Sequence, residues 1–282
     1  MGTALSPDEP PRHPTRRSAL ALGALGLAAT AGVIGIGGPD FPVTRPRESR
    51  ERPVAVSRTA LERRRVLGSA AYVYEADGKR AAYYVTDAFG ARLDRWLTTW
   101  TEHTGLEPDE IRSYGAWTRG SGGSWHHSGE AFDLARLTRK GRDVVSARYD
   151  RWRGEPARQV RRRQRLYWRL AASLHTEFAD VVTYLYDAAH ADHIHVDTGR
   201  FGPTGAPRLI ERSGVQVQAV QAMCRHVWGR TDVQINGEFD RVTRHATATI
   251  LREHGGEGGL DAELGDGVQA WRAFMLATVS HA

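Results

Sequence analysis

The sequence predicts an α+β fold, in which helices pack on a small β-sheet carrying a metal site and a short all-α unit follows. Three observations carry this. Short β-type runs at 71–74, 82–85 and 181–186 are interleaved with two long stretches of helical apolar spacing. Imidazoles and carboxylates crowd into two short segments, at 124–133 and 190–197. Residues 213–282 show helical spacing and a turn signal but no strand pattern.

In chain order, Thr15-Arg16-Arg17-Ser18 precedes an apolar, small-residue run over 19–38. A basic region followed by such a run is an export-signal pattern, and the paired arginines suggest the twin-arginine route. About 20 apolar residues can also span a bilayer. Residues 1–38 are therefore read as a cleaved signal or a retained membrane anchor. Residues 39–65 are rich in Pro, Arg, Glu and Ser and read as a disordered linker.

A first domain is expected over 66–205. Ala71-Tyr72-Val73-Tyr74 and Ala82-Tyr83-Tyr84-Val85 flank Asp77-Gly78, which predicts a hairpin. Asp87 reads as an N-cap, with Leu93, Trp96, Leu97 and Trp100 at helical spacing behind it and Gly105 as the stop. The two indoles read as core. A second helix is expected from about Pro156 to Phe178, with Arg158, Arg161, Arg162, Arg163 and Arg165 on a solvated face. Val181–Tyr186 reads as a strand, and a further strand begins near His193. Gly202-Pro203-Thr204-Gly205 is a break. Over 213–282, Val220, Met223, Cys224 and Val227 share a helical face and Asn236-Gly237 marks a turn. Another helix starts near Thr243, and a third carries Val268, Trp271, Phe274 and Met275.

Charge and cysteine usage exclude several classes. The net charge of the 282 residues is +6, of which residues 1–64, with ten Arg against six acids, hold +4. The rest is close to neutral and contains no recognition-helix pattern, so nucleic acid is not an expected partner. The single cysteine, Cys224, excludes an internal disulfide and a thiolate metal cage.

The chemistry lies in Ser124-Trp125-His126-His127-Ser128-Gly129-Glu130-Ala131-Phe132-Asp133 and His190-Ala191-Asp192-His193-Ile194-His195-Val196-Asp197. Five of the twelve histidines fall within these eighteen residues. A catalytic zinc takes about three protein ligands and leaves one position open, and imidazole and carboxylate suit it. Gly129 lets the backbone reverse between His126 and Asp133. His193 and His195 fall on one face of a strand, since side chains alternate.

Residues 124–133 match the Ser-x-His-x-x-Gly-x-Ala-x-Asp signature of the D-Ala-D-Ala carboxypeptidase and murein endopeptidase superfamily, and the second segment resembles its closing His-x-His strand. Together with Ser113-Tyr114-Gly115 through Arg119, they look most like the extensin-like C-terminal branch. The resemblance spans about residues 66–200. It implies a small antiparallel sheet carrying Zn²⁺ held by His126, Asp133 and His195. It further implies a hydrolase acting on the stem peptides of bacterial peptidoglycan, as a cross-link endopeptidase or a D-Ala carboxypeptidase. The general base of that family falls on Asp192, shorter than the usual Glu. His193 shares the proton work or steadies the oxyanion, His190 supports the centre, and Arg119 holds a substrate carboxylate or carbonyl. Ser124 is structural and His127 a bystander. Residues 213–282 resemble a three-helix peptidoglycan-binding domain through Val220-Gln221-Ala222-Met223, Ile235-Asn236-Gly237-Glu238-Phe239-Asp240 and Thr243-Arg244-His245-Ala246. The competing expectation is a non-catalytic cell-wall-binding protein that keeps the fold. A membrane is a partner only if the segment 1–38 is retained.

Overall fold

A computed structural model describes residues 53–282 apart from 122, 203, 260 and 261, and excludes the side chains of 200, 258 and 259. The expected signal or anchor over 1–38, and residues 39–52 of the expected linker, lie outside the described residues. Among the described residues no helix is long and apolar enough to cross a membrane.

The protein is of mixed α+β class. Its strands are β1 (Glu62–Arg64), β2 (Val66–Leu67), β3 (Ala70–Tyr74), β4 (Lys79–Arg80), β5 (Tyr83–Val85), β6 (Glu110–Gly115), β7 (Ala131–Arg139), β8 (Arg142–Ser146), β9 (Asp180–Val182) and β10 (Ile194–Asp197). Its helices are α1 (Asp87–Thr104), α2 (Trp125–Ser128), α3 (Tyr149–Trp152), α4 (Ala157–Leu174), α5 (Gly214–His226), α6 (Arg241–His254) and α7 (Val268–Ser280). The main sheet runs β2-β3-β6-β7-β10-β9, with β4 beside β3 and β8 beside β7. Every pairing in it is antiparallel except β3 with β6, which is parallel. The sheet is therefore mixed, against the all-antiparallel expectation. β3 reaches β6 by way of α1, the crossover that a parallel pair requires.

Strand β7 sits in the middle, with β6 and β10 on its two sides, and is buried almost continuously from Ala131 to Thr138. α1 lies between Thr86, whose hydroxyl accepts from the Phe89 N–H, and Gly105, which turns left-handed at φ 68°. Trp96 and Trp100 are wholly buried, and their indole N–H groups donate to the Ser173 hydroxyl and the Leu106 carbonyl. α4 buries Tyr167, Trp168, Leu170, Ala171 and Leu174 and turns Arg158, Arg161 and Arg162 to solvent.

Three sequence expectations give way. The turn at Asp77-Gly78 closes β3 onto the two residues of β4, not onto β5. β5 pairs instead with β1 in a separate two-stranded sheet. There Tyr83 packs against Tyr72 (ring centroids 4.7 Å apart) and Phe132 (5.7 Å) and donates its hydroxyl to the Val66 carbonyl. The linker expected over 39–65 is, from residue 53, a strap on the fold. Leu61 packs over Gly129, and the Val56 N–H donates to the His127 carbonyl. The Val56 carbonyl in turn accepts from the Trp117 indole. The strand expected over 181–186 stops at Val182 and turns, because Tyr184 stacks on Tyr149 at 3.9 Å and packs on Tyr167, so packing overrides β-propensity.

From Gly214 on, the described elements are the helices α5, α6 and α7 and a 3-10 turn, Gly256–Gly259. Gln221 organises them: its amide donates to Asn236, Glu238 and Thr243, and its carbonyl accepts from the Asn236 and Gly237 N–H groups. α5 and α7 pack on α4, and α7 also touches α1. Trp271 donates to the His175 carbonyl. One apolar core runs through sheet, α1, α4 and these three helices, so they belong to the same compact unit as the sheet.

Candidate metal centre

Two neighbouring strands and one short helix bring the two histidine-rich segments together. In the antiparallel β7–β10 ladder, His195 lies directly opposite Asp133. Cross-strand partners have Cβ atoms about 5 Å apart, so this register alone places imidazole against carboxylate. α2 supplies His126. Ser124 caps that helix by accepting from the His126 N–H, and Gly129 ends it with φ 75°. An L side chain there would be strained, and its Cβ would meet Leu61 Cδ2 at 2.6 Å. The reversal at Gly129 feeds the chain directly into β7.

His126 Nε2 lies 3.3 Å from His195 Nδ1 and 3.2 Å from Asp133 Oδ2, and His195 Nδ1 lies 2.9 Å from Asp133 Oδ1. The three residues thus offer donor atoms all within 4.8 Å of one another. Tetrahedral coordination with bonds of about 2.1 Å spaces ligand atoms by roughly 3.4 Å, close to these separations. The remaining ring nitrogens are occupied. His126 Nδ1 donates to the Ala116 carbonyl, and His195 Nε2 meets Asp197 Oδ2 at 3.0 Å. Such outer contacts fix tautomer and ring orientation so that the inner nitrogens face a cation. The donor set therefore fits a metal ion.

The electrostatics agree. Burial works against the charge on Asp133, but the field of His126 and hydrogen bonds from His126 and His195 outweigh it and hold the carboxyl well below its usual range. Burial likewise opposes charge on His195. Hydrogen bonds to Asp133 and Asp197 override it and raise the imidazole to about 10.

Around the triad, His193 turns Nε2 toward Asp133 Oδ1 at 3.6 Å and binds Asp192 Oδ1 through Nδ1 at 2.6 Å. Asp192 thus backs His193 and does not itself face the three donors. Its own burial raises it, while the hydrogen bond and charge of His193, the charge of Arg148 and a hydrogen bond from Tyr114 together lower it below the ordinary value. His190 lies on a 3-10 turn, Ala188–His190, with Nδ1 at 2.6 Å from Asp187 Oδ1 and its ring 5.2 Å from that of His193. Arg119 is exposed, on the loop before α2, and makes no ion pair or hydrogen bond among the described residues. The fold therefore unites His126, Asp133, His195, Asp192, His193 and His190 but leaves Arg119 outside their hydrogen-bonded network. Ser124 acts as the helix cap. His127 packs against Gly120.

Sequence reasoning quoted Asp197 and Tyr114 within its motifs but gave them no role, and it passed over Arg148 and Glu75 altogether. Asp197 had a signal, since it follows His195 by two on the same strand and alternation puts both on one face. Arg148 and Glu75 carry no local pattern and meet only in the folded chain.

Comparison with known protein families, with curated proteins and with solved structures finds no match to this chain.

Proposed function

We propose that this chain is an exported zinc peptidase that hydrolyses peptide bonds of bacterial peptidoglycan, at cross-links or at D-Ala termini. The observation that carries the catalytic half of this reading is the convergence of His126 Nε2, His195 Nδ1 and the Asp133 carboxylate on one small volume. The substrate half rests on the motif resemblance of residues 124–133 and 190–197. Export rests on Arg16-Arg17 and the apolar run after them.

His126, Asp133 and His195 would hold the zinc, which when bound would supply Lewis acidity toward a carbonyl and a bound water. The protein side of the reaction falls to His193. Its Nε2 faces the donors, and its Nδ1 is engaged by Asp192, so it is oriented to accept a proton from attacking water and return it to the leaving amine. Asp192 keeps that imidazole in the required tautomer. This arrangement favours His193 over Asp192 as the group that handles the proton. It also favours catalysis over wall binding alone, which has no use for a backed imidazole beside a metal site. No serine-hydrolase elbow surrounds Ser124, so no acyl-enzyme is expected.

The test is digestion of defined muropeptides, with products read by mass spectrometry, before and after EDTA and with zinc restored. Loss with EDTA and recovery with zinc support the reading, and full activity without metal ends it. Metal content of the purified protein separates zinc from ferrous iron, which accepts the same two-imidazole, one-carboxylate set. Binding of the full chain to purified sacculi tests the proposed role of residues 213–282, because their helices share the core of the sheet and cannot be excised cleanly.

A further inference from the structure

We propose that the outer face of α4 is a docking track for an extended phosphodiester polymer, held by Arg158, Arg161, Arg162, Arg165 and Arg169. The proposal does not rest on the peptidase reading.

α4 contains six arginines and no acidic residue. Arg158, Arg162, Arg165 and Arg169 stand four, three and four positions apart, and Arg161 stands four before Arg165, so these five share one face. They span about 16 Å of helix, with at least one guanidinium for every turn of about 5.4 Å. The sixth, Arg163, lies off this face and binds Glu155 at 2.8 Å. Arg158, Arg161 and Arg162 are exposed and form no ion pair or hydrogen bond among the described residues. Arg169 donates to the Val279 carbonyl at 2.8 Å, and Arg165 to a backbone oxygen of Ala282. Neither meets a side-chain carboxylate among the described residues.

A solvated helix has no need of such a row. Like charges three or four positions apart work against a helix. Here they recur at 158 and 161, 158 and 162, 161 and 165, 162 and 165, and 165 and 169. Burial, then the positive charge of Arg165, holds the Arg169 guanidinium below its ordinary value. By contrast Arg230 and Arg244 each face a carboxylate, Asp232 at 3.2 Å and Glu211 at 2.6 Å. A partner that brings the missing negative charge relieves the repulsion along α4. The guanidinium fork matches the paired oxygens of a phosphate, and a flexible chain with one phosphate per repeat can lie along the row. Two other anionic partners fit less well. The inner face of α4, with Trp168, Leu170, Ala171 and Leu174, is buried in the core, so the helix has no apolar side to lay into a lipid bilayer. Its two aromatic residues, Tyr167 and Trp168, are buried as well, so the row offers no ring on which nucleic-acid bases stack.

The full chain is titrated with synthetic poly(glycerol phosphate) by calorimetry over a salt series. Binding to a single-stranded polyanion falls with a log–log salt slope of about −0.7 per neutralised phosphate, so five contacts give about −3.5. The triple variant Arg158→Gln, Arg161→Gln, Arg162→Gln keeps good helix formers at exposed positions. It should flatten the slope by about 2 and weaken binding about 100-fold at about 0.1 M salt. A control triple, Arg80→Gln, Arg139→Gln, Arg142→Gln, makes the same change of charge at exposed positions on β4, β7 and β8. It should bind within about threefold of the wild type, since screening confines its effect to its own surroundings. Equal losses in the two triples overturn the proposal, because net charge and not the row is then responsible. So does a wild type that binds no poly(glycerol phosphate). Tighter binding to polyglutamate, to oligothymidylate or to phosphatidylglycerol vesicles also overturns it, by assigning the row to another class of partner. If circular dichroism shows that the first triple has lost helix, Arg161→Gln and Arg162→Gln singly decide, each expected to remove about 0.7 from the slope. Muropeptide cleavage is expected to be equal in all these proteins, so failure of the peptidase reading leaves this test standing.

Discussion

Replacing His175 by Leu removes a buried imidazole whose cost depends on pH. His175 follows α4, is wholly inaccessible, sits edge-on to Trp271 at 5.3 Å, and among the described residues has no hydrogen-bond partner at either ring nitrogen. Burial alone pushes it down to about 3, so the folded chain keeps it neutral. The unfolded imidazole titrates near 6.5. Between these values the unfolded state binds the extra proton, so stability rises with pH through the window; it is fully present above about 6.5 and lost as pH falls. At pH 4.5 the penalty is about 3 kcal/mol, two pH units at about 1.4 kcal/mol each. The Leu variant has no such proton. Its stability should fall about 3 kcal/mol less than that of the wild type between pH 7.5 and pH 4.5. At pH 7.5 it should equal or exceed the wild type by about 1 kcal/mol, since two unsatisfied nitrogens are gone. Urea denaturation followed by tryptophan fluorescence at both pH values measures this, with midpoints compared at a common slope. Parallel pH losses in the two proteins would refute the reasoning, because they would mean that water or a partner reaches His175.

Two further substitutions probe the centre and its support. Asp197→Asn weakens the acceptor behind His195 Nε2 and should lower zinc affinity about tenfold, read by competition with a chromophoric chelator; equal affinity would show that the contact does not tune the ligand. Gly129→Ala forces a methyl group into left-handed backbone and against Leu61, and should cost about 2 kcal/mol in chemical denaturation; a cost near zero would mean that the strap shifts freely.

The parts of this fold that were legible in the sequence share one property: their pattern is local. Thr86 to Gly105 could be read as a helix because a turn signal and a four-residue apolar rhythm lie in one window, although the cap proved to be Thr86 and not Asp87. The three residues of the candidate metal site could be found because imidazoles are scarce and five of them fall in two short segments. What could not be read depends on neighbours distant in sequence. Tyr83 looked like half of a hairpin, but its best contacts are Tyr72 and Phe132, which draw β5 away to β1. Tyr114 sits in the short stretch 113–115 whose only signal is the resemblance, and its ring meets that of His193 only because β6 and β10 flank β7. Glu75 and Arg148, 73 residues apart, carry no mutual signal at all.

The three donors are not anchored alike. Asp133 and His195 face each other in mid-sheet, whereas His126 rides on a four-residue helix clasped by residues 53–61. The Val56 N–H to His127 carbonyl bond couples that clasp to the backbone next to His126 and to neither of the other two residues. Strain on residues 53–61 would therefore be felt first on the His126 side of the three-residue cluster, while the Asp133–His195 pair stays braced within the sheet.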